Sequence, residues 1–387
     1  MKPLDDFESR LTAALAGIGE AGLLRRMRLP QGIDLVSNDY LGLAEHPYLA
    51  ETMRAALGEL PAGSGGSRLL RGHHEAFESI EARLAAFSGT ESALLFGSGY
   101  AANIGLLQAI VSPDDLILSD ERNHASIIDG IRLTKASTFI YPHQNLDALD
   151  TALTKPRAGH ALIVTESVFS MDGDLTPLDE VCEIAGRHGA IVVVDEAHAT
   201  GLYGARGSGR VEELGLRARV AATIHTGGKA LGSGGAWVAG SQRLRDVMVN
   251  RSRSFIFSTA PIPVLTAALG AGLDLVDREP ERRREVLRKS SLLRRALNEA
   301  GVNSVELPPD TTSCNGPIVP IIAGSNEAVL ALQSALTAAG FDVRAIRPPS
   351  VAPGTSRLRV TVRFPTSDDD LLRFASEVAR AMDLRAA

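Results

Sequence analysis

The sequence predicts an α/β protein, with a large domain on a mostly parallel sheet flanked by helices and a smaller α+β domain at the C-terminal end. Three observations carry this. The run Ile191-Val192-Val193-Val194 is continuous and β-branched, the pattern of a strand buried on both faces of a parallel sheet, and it ends on Asp195. A second apolar run, Ala161 to Val164, ends on the polar cluster Thr165-Glu166-Ser167. A third, Ala93 to Phe96, is followed by small residues and then by the helical run Ile104 to Val111. In open α/β sheets ligands bind beyond the carboxyl ends of the strands, so Asp195 and His198 fall where a cofactor would lie.

With 387 residues, 44% apolar and 22% charged, the chain can bury a large core and divide into a major and a minor domain. A formal charge of −6 argues against a nucleic acid or an anionic membrane as partner. Cys182 and Cys314 lie far apart with no CxxC or Cys/His ligand spacing, so neither a disulfide framework nor a metal site is indicated, and a reducing cytoplasm fits. Asp5, Asp6 and Glu8 near the start, without an apolar core, argue against a targeting peptide, and no run is long enough to span a bilayer.

Along the chain, Phe7, Leu11, Ala14, Leu15 and Ile18 recur at helical spacing, predicting an amphipathic helix that continues toward Leu23, Leu24, Arg25, Arg26 and Arg28. Asp34 to Ser37 reads as a short strand entering the turn Asn38 to Leu43, and a helix follows from Tyr48 to Leu57. The glycine-rich stretch Gly63 to Arg68 follows a helix rather than a strand and lacks GxxxxGK[ST], so it supports neither a P-loop nor a dinucleotide fingerprint. His73 and His74 open a helix reaching Phe87 and have no metal partner in view. Ser98 to Asn103, between strand and helix, is an anion cradle: small residues let amides at a helix N-terminus face a phosphate. Leu116 to Leu118 is a strand that delivers Asp120, Asn123 and His124, whereas Thr138 to Tyr141, with His143 and Asn145 after it, carries no assigned chemistry.

The strand-like Val220 to His225 leads into Thr226-Gly227-Gly228-Lys229 and further glycines. A lysine amine forms a Schiff base with a carbonyl when partial desolvation lowers its pKa, and glycines let a bulky cofactor approach the backbone. Alone, Lys229 reads as a solvated lysine in a flexible loop; the polar strand ends at Glu166 and Asp195 reverse that reading. Trp237 to Gly240 is a further strand, and Val264 to Ala300 is helical with a break near Pro280, its charged run Arg278 to Lys289 forming a solvated face. Pro317 to Ile322, Phe341 to Ile346 and Arg357 to Val362 read as strands around a helix from Asn326 to Ala339.

Asp195 followed, after another strand, by Lys229 is the arrangement of pyridoxal 5'-phosphate enzymes of fold type I. The motifs NDYLGL (from Asn38), GSGGSRLLRGHH (from Gly63), SGYAAN (from Ser98), NHASIIDG (from Asn123), ESVFSMDGD (from Glu166), VVDEAHATG (from Val193), GGKALGS (from Gly227) and IRPPSVAPGTSRLRVTV (from Ile346) resemble the α-oxoamine synthase family over most of the chain. The last is most similar to members that join L-alanine to a pimeloyl thioester in biotin synthesis. The resemblance implies pyridoxal 5'-phosphate on Lys229, its ring nitrogen paired with Asp195, its phenolic oxygen near His198 and Ser170, and His124 against its face. Gly99, Tyr100 and Thr226 are implied at the phosphate, with Thr259 reaching it from the partner of a homodimer with shared active sites. Asn38, His124 and Arg359 are implied to hold the amino-acid carboxylate, and Arg25, Arg347 and Ser350 to shape the acyl site. Ser350 stands where a threonine is common. Glu166 and Asp172 are read as loop supports.

The implied reaction takes its acyl group from pimeloyl-CoA or pimeloyl-acyl carrier protein, with Lys229, Asp195 and His124 catalytic. A sister activity such as glycine C-acetyltransferase, and a non-catalytic pyridoxal phosphate-binding protein, are the alternatives. The expected organisation is an N-terminal helix and arm (1–45), a large cofactor domain (46–262), and a linking helix with a small domain (263–387).

Overall fold

The computed structural model describes residues 3–302 and 316–386, with side chains described as far as Met382. Cys314 lies outside the described residues; Cys182 is a buried free thiol. The N-terminal helix spans Pro3–Glu20 with no buried residue. It stops short of Arg25 because the chain turns at Gly22, whose φ of 66° is left-handed.

Strand β1 (Ile33–Asp34) precedes the main sheet. That sheet holds β2 (Ser92–Phe96), β3 (Leu116–Asp120), β4 (Ser137–Tyr141), β5 (Ala161–Glu166), β6 (Ile191–Asp195), β7 (Ala222–Thr226) and β8 (Ala236–Gly240), in the order β2-β8-β7-β6-β5-β3-β4. Every neighbouring pair is parallel except those made by β8, which runs antiparallel to β2 and β7. The β-branched runs occupy the centre because both of their faces are covered. Val193 packs with Leu106, Ile117 and Ile224 on one face, and its neighbours Val192 and Val194 pack with Ile163, Leu178 and Val181 on the other. The helix after β2 begins at Gly99 rather than at Ile104, because the Ser98 hydroxyl caps it by accepting from the Ala101 amide at 3.2 Å.

Helices Val264–Arg278 and Glu281–Glu299 lead to a second layer, with the break at Pro280. Its charged run is less solvated than its composition predicts: Arg282 lies over the Phe364 ring and donates to the Leu41 carbonyl. Here β9 (Ile318–Gly324) and β11 (Ala345–Ile346) flank β12 (Ser356–Thr361) in an antiparallel sheet, backed by helices Asn326–Ala338 and Asp368–Ala386. The single strand expected from Phe341 to Ile346 is two, because β10 (Phe341–Asp342) pairs with β1 before the chain crosses to β12. Leu35 joins the core of Val319, Leu332, Phe341, Leu358 and Phe374, so the segment entering NDYLGL is tied to the C-terminal layer.

Candidate active site

The ends of β3, β5, β6 and β7 deliver the polar groups to one cleft of about 190 Å³, lined by His124, Glu166, Asp195, His198, Thr226 and Lys229 among others. The turn after β7 needs its glycines. A Cβ on Gly227 would collide with the Gly234 carbonyl and Leu269. That turn places the Lys229 amine 2.9 Å from His198 Nε2. Burial lowers the Lys229 amine from its usual value to about 8; Asp195 and Glu166 oppose the drop and Arg359 adds to it.

His198 is buried, and its other ring nitrogen lies 2.6 Å from the Tyr40 hydroxyl. Burial first, then Lys229, Arg359 and His124, hold it well below its usual pKa, so it is neutral near pH 7. Asp195 accepts from the Asn103 amide at 2.7 Å and from the Ala197 N–H at 2.9 Å. Asn103 also donates to Ser126 Oγ at 3.0 Å, which in turn lies 2.8 Å from His124 Nδ1. Burial pulls His124 down, against the pull of Asp195. Glu166 is buried beside Asp195, and burial with that neighbouring charge raises its carboxyl well above the usual range.

At the far end of the cleft, Gly99 and Tyr100 form the first turn of the twelve-residue helix Gly99–Ile110, opposite Thr226. A Cβ on Gly99 would sit 2.9 Å from Thr226 Cγ2, so the close approach depends on glycine. Next to this cleft is a larger cavity of about 550 Å³, lined by His124, Phe169, Ser170, Met171, Ser350 and Val351 among others. His124 belongs to both.

Seven of the expected residues thus meet in one cleft: Gly99, Tyr100, His124, Asp195, His198, Thr226 and Lys229. Ser170 and Ser350 line the neighbouring cavity. Arg359 is buried; it donates to the Ser170 carbonyl and to Thr361 Oγ1, and bears on the charge of Tyr40, Lys229 and His198. Asn38 lines neither cavity and accepts from the Tyr40 hydroxyl at 3.3 Å. Arg347 donates to the carbonyls of Gly22 and Leu24, holding the chain beside an exposed Arg25. Thr259 is exposed and outside the cleft. Asp172 bridges Arg122 and Arg357.

Sequence reasoning missed Tyr40, Asn103 and Ser126. Each sits inside a motif already singled out, and a polar residue on the apolar helix face of Asn103 was the one signal available. Among the described residues no cluster of three His, Cys, Asp or Glu side chains is placed to hold a metal, and no helix is long and apolar enough to cross a membrane.

A buried amine of lowered pKa, a carboxylate held by two donors, and a glycine-lined helix N-terminus fit pyridoxal phosphate, with its carbonyl, ring nitrogen and phosphate respectively. With the sheet order, they define a fold type I pyridoxal phosphate-dependent transferase. Residues 30–378 match the family model for aminotransferase class I and II, and the chain belongs to that family. Among its relatives, the 8-amino-7-oxononanoate synthase of Geobacter sulfurreducens is 42% identical over 96% of this chain and 98% of its own. That of Anaeromyxobacter dehalogenans is 45% identical over 85% and 81%. Among solved structures, a serine palmitoyltransferase of Sphingomonas wittichii superposes with a TM-score of 0.89 at 26% identity, covering 100% of this chain and 99% of that one. An SPT solved with PLP gives the same score and identity, with 100% of both chains covered. The 8-amino-7-oxononanoate synthase of Francisella tularensis, at 24% identity and a TM-score of 0.79 over 92% and 99%, shares the fold.

Proposed function

We propose that the protein condenses L-alanine with a pimeloyl thioester, carried on CoA or acyl carrier protein, releasing carbon dioxide and the free thiol to give 8-amino-7-oxononanoate for biotin. The observation that carries the reading is the buried Lys229 amine, lowered to about 8 and set against His198 with Asp195 lining the same cleft. The choice of substrates is supported by the relatives of that name at 42% and 45% identity.

Gly99, Tyr100 and Thr226 would hold the cofactor phosphate at the helix N-terminus, where backbone amides and the helix dipole favour an anion. Asp195 would hold the ring nitrogen, with His198 and Ser170 near the phenolic oxygen and His124 against the ring. Bound there, pyridoxal phosphate supplies the electron sink that lets the alanine Cα carry negative charge. Lys229, neutral in a large share of molecules near pH 8, removes the α-proton as general base. Arg359, Asn38 and His124 orient the amino-acid carboxylate. The larger cavity would take the acyl chain along Phe169, Met171 and Val351, beside Ser350, and Arg25 and Arg347 would shape its entrance. The Cα–acyl bond forms as the C–S bond breaks and the thiolate leaves; the carboxylate departs as carbon dioxide, and Lys229 returns a proton to Cα.

The same reading divides the chain into an arm (1–45), a cofactor domain (46–262) and a small domain (263–387), and makes the enzyme a cytoplasmic homodimer. Thr259 and the loop Gly63–Arg68 would serve the partner's site. The exposure of Phe257 (71%) and Ile262 (48%) around Thr259 supports an interface there.

The test is thiol release from pimeloyl-CoA by cofactor-loaded protein, with L-alanine and glycine side by side. Release with L-alanine, together with 8-amino-7-oxononanoate, is the expected result. Release only with glycine, or only from another acyl thioester, overturns the substrate assignment.

A further inference from the structure

Outside the cleft, His143 sits between two carboxylates. Its Nδ1 lies 2.9 Å from Asp120 Oδ1 and its Nε2 lies 2.6 Å from Asp174 Oδ2. Ionised carboxylates only accept, so both contacts are hydrogen bonds only when both ring nitrogens carry protons. Gln144 doubles the bridge from a left-handed backbone, φ 54°, rare for a residue with a side chain. Its N–H donates to Asp120 Oδ2 at 3.0 Å and its side-chain amide donates to Asp174 Oδ2 at 2.7 Å.

Each carboxylate belongs to a segment that ends in the site. Asp120 accepts the Arg122 N–H at 2.8 Å through Oδ1, and its carbonyl accepts the Asn123 N–H at 3.2 Å, shaping the turn that delivers His124. The Asp174 carbonyl accepts the Phe169 N–H at 3.0 Å, closing the loop that carries Ser170. The Phe169 ring, which lines the larger cavity, meets the imidazole edge-on at 4.5 Å between centroids.

We propose that His143 is a positioning residue: as an imidazolium bridging Asp120 and Asp174, it fixes the two segments that present His124 and Ser170, and loss of its proton releases both. Its catalytic consequence rests on the functional reading above; the bridge itself does not. Among the described residues, Glu121 also faces it, accepting the His143 backbone N–H at 3.1 Å, while Arg122 and Arg357 share the Asp172 carboxylate on the cavity side and leave one net positive charge there. Burial alone would lower this imidazole; the hydrogen bonds and charges of Asp120 and Asp174 outweigh it and raise it to about 9.

The experiment follows histidine ring nitrogens by NMR in holoenzyme from about pH 6 to about pH 10, beside kcat/KM over the same range, in wild type, His143→Gln and Asp174→Asn. In wild type the His143 ring titrates near pH 9, the His124 signal shifts with it, and kcat/KM falls with the same midpoint. Asp174→Asn moves all three to lower pH together. His143→Gln removes the limb and lowers kcat/KM about ten- to a hundredfold near neutral pH, the scale of a displaced catalytic group. A purely structural role would lower stability and leave the limb in place. The proposal is overturned by a neutral His143 at pH 7, by a His124 signal indifferent to it, or by a limb that stays put while the ring titration moves. Failure of wild type to release thiol would instead overturn the function, and the His143–His124 signals would still decide the bridge.

Discussion

His198 and His143 are two enclosed imidazoles near the same edge of one sheet, and they carry opposite charge states. His198 meets a tyrosine hydroxyl and a lysine amine. Nothing there repays the cost of burying a cation, and the ring stays neutral. His143 meets two carboxylates, and the ring keeps its proton to about pH 9. Burial pulls both downward, so partners rather than depth decide the sign. The neutral ring suits a cleft in which Lys229 must shed a proton; the charged ring suits a clamp between loops.

The largest expected effect breaks the neutral side alone. Lys229→Ala deletes the proposed general base and should cut turnover by on the order of 10⁴-fold or more, while the protein still folds. Steady-state thiol release and urea melts check the two halves. Next, Asp195→Asn removes the carboxylate charge proposed to face the cofactor and leaves one acceptor oxygen for the two donors, Asn103 and the Ala197 N–H, and kcat should fall about 10²- to 10³-fold.

The charged side is tested through stability. The folded-state pKa of His143 is raised from 6.5 to about 9, so its contribution is fully present below about pH 6.5 and is lost as pH rises through about 9. Denaturant midpoints of wild type should therefore fall between these limits relative to His143→Gln, by on the order of 1–2 kcal/mol after allowance for solvent screening. An equal slope in both proteins would refute the charged clamp. The smallest effect belongs to Tyr40→Phe. It removes the hydroxyl 2.6 Å from His198 Nδ1 and should weaken cofactor binding by about 1 kcal/mol, read by equilibrium titration.

Much of the site was legible because its residues follow strands. A run such as Ile191–Val194 declares a buried strand by itself, and the next polar residue, Asp195, is then at the ligand-binding edge. Lys229 likewise follows a strand-like run, whereas His124 and Thr226 were singled out by the resemblance to the α-oxoamine synthase family. Reading strand ends failed where a partner comes from far along the chain. Tyr40 lies 158 residues from His198, and no local pattern announces that they touch. Likewise His143 carried no assigned chemistry, since Asp120 and Asp174 stand 23 and 31 residues away on other segments.

The amino-acid sequence by itself determined the α/β class, the strands of the sheet and the polar residues at their ends, because hydrophobic periodicity and backbone stiffness act over a few residues. Tertiary structure alone decided that β8 runs against its neighbours, that β1 joins the C-terminal layer, and that a buried histidine is neutral while a partly buried one is charged. Those outcomes depend on which distant groups the packed sheet brings within hydrogen-bonding reach, and electrostatic energy in a low-dielectric interior is governed by those short distances.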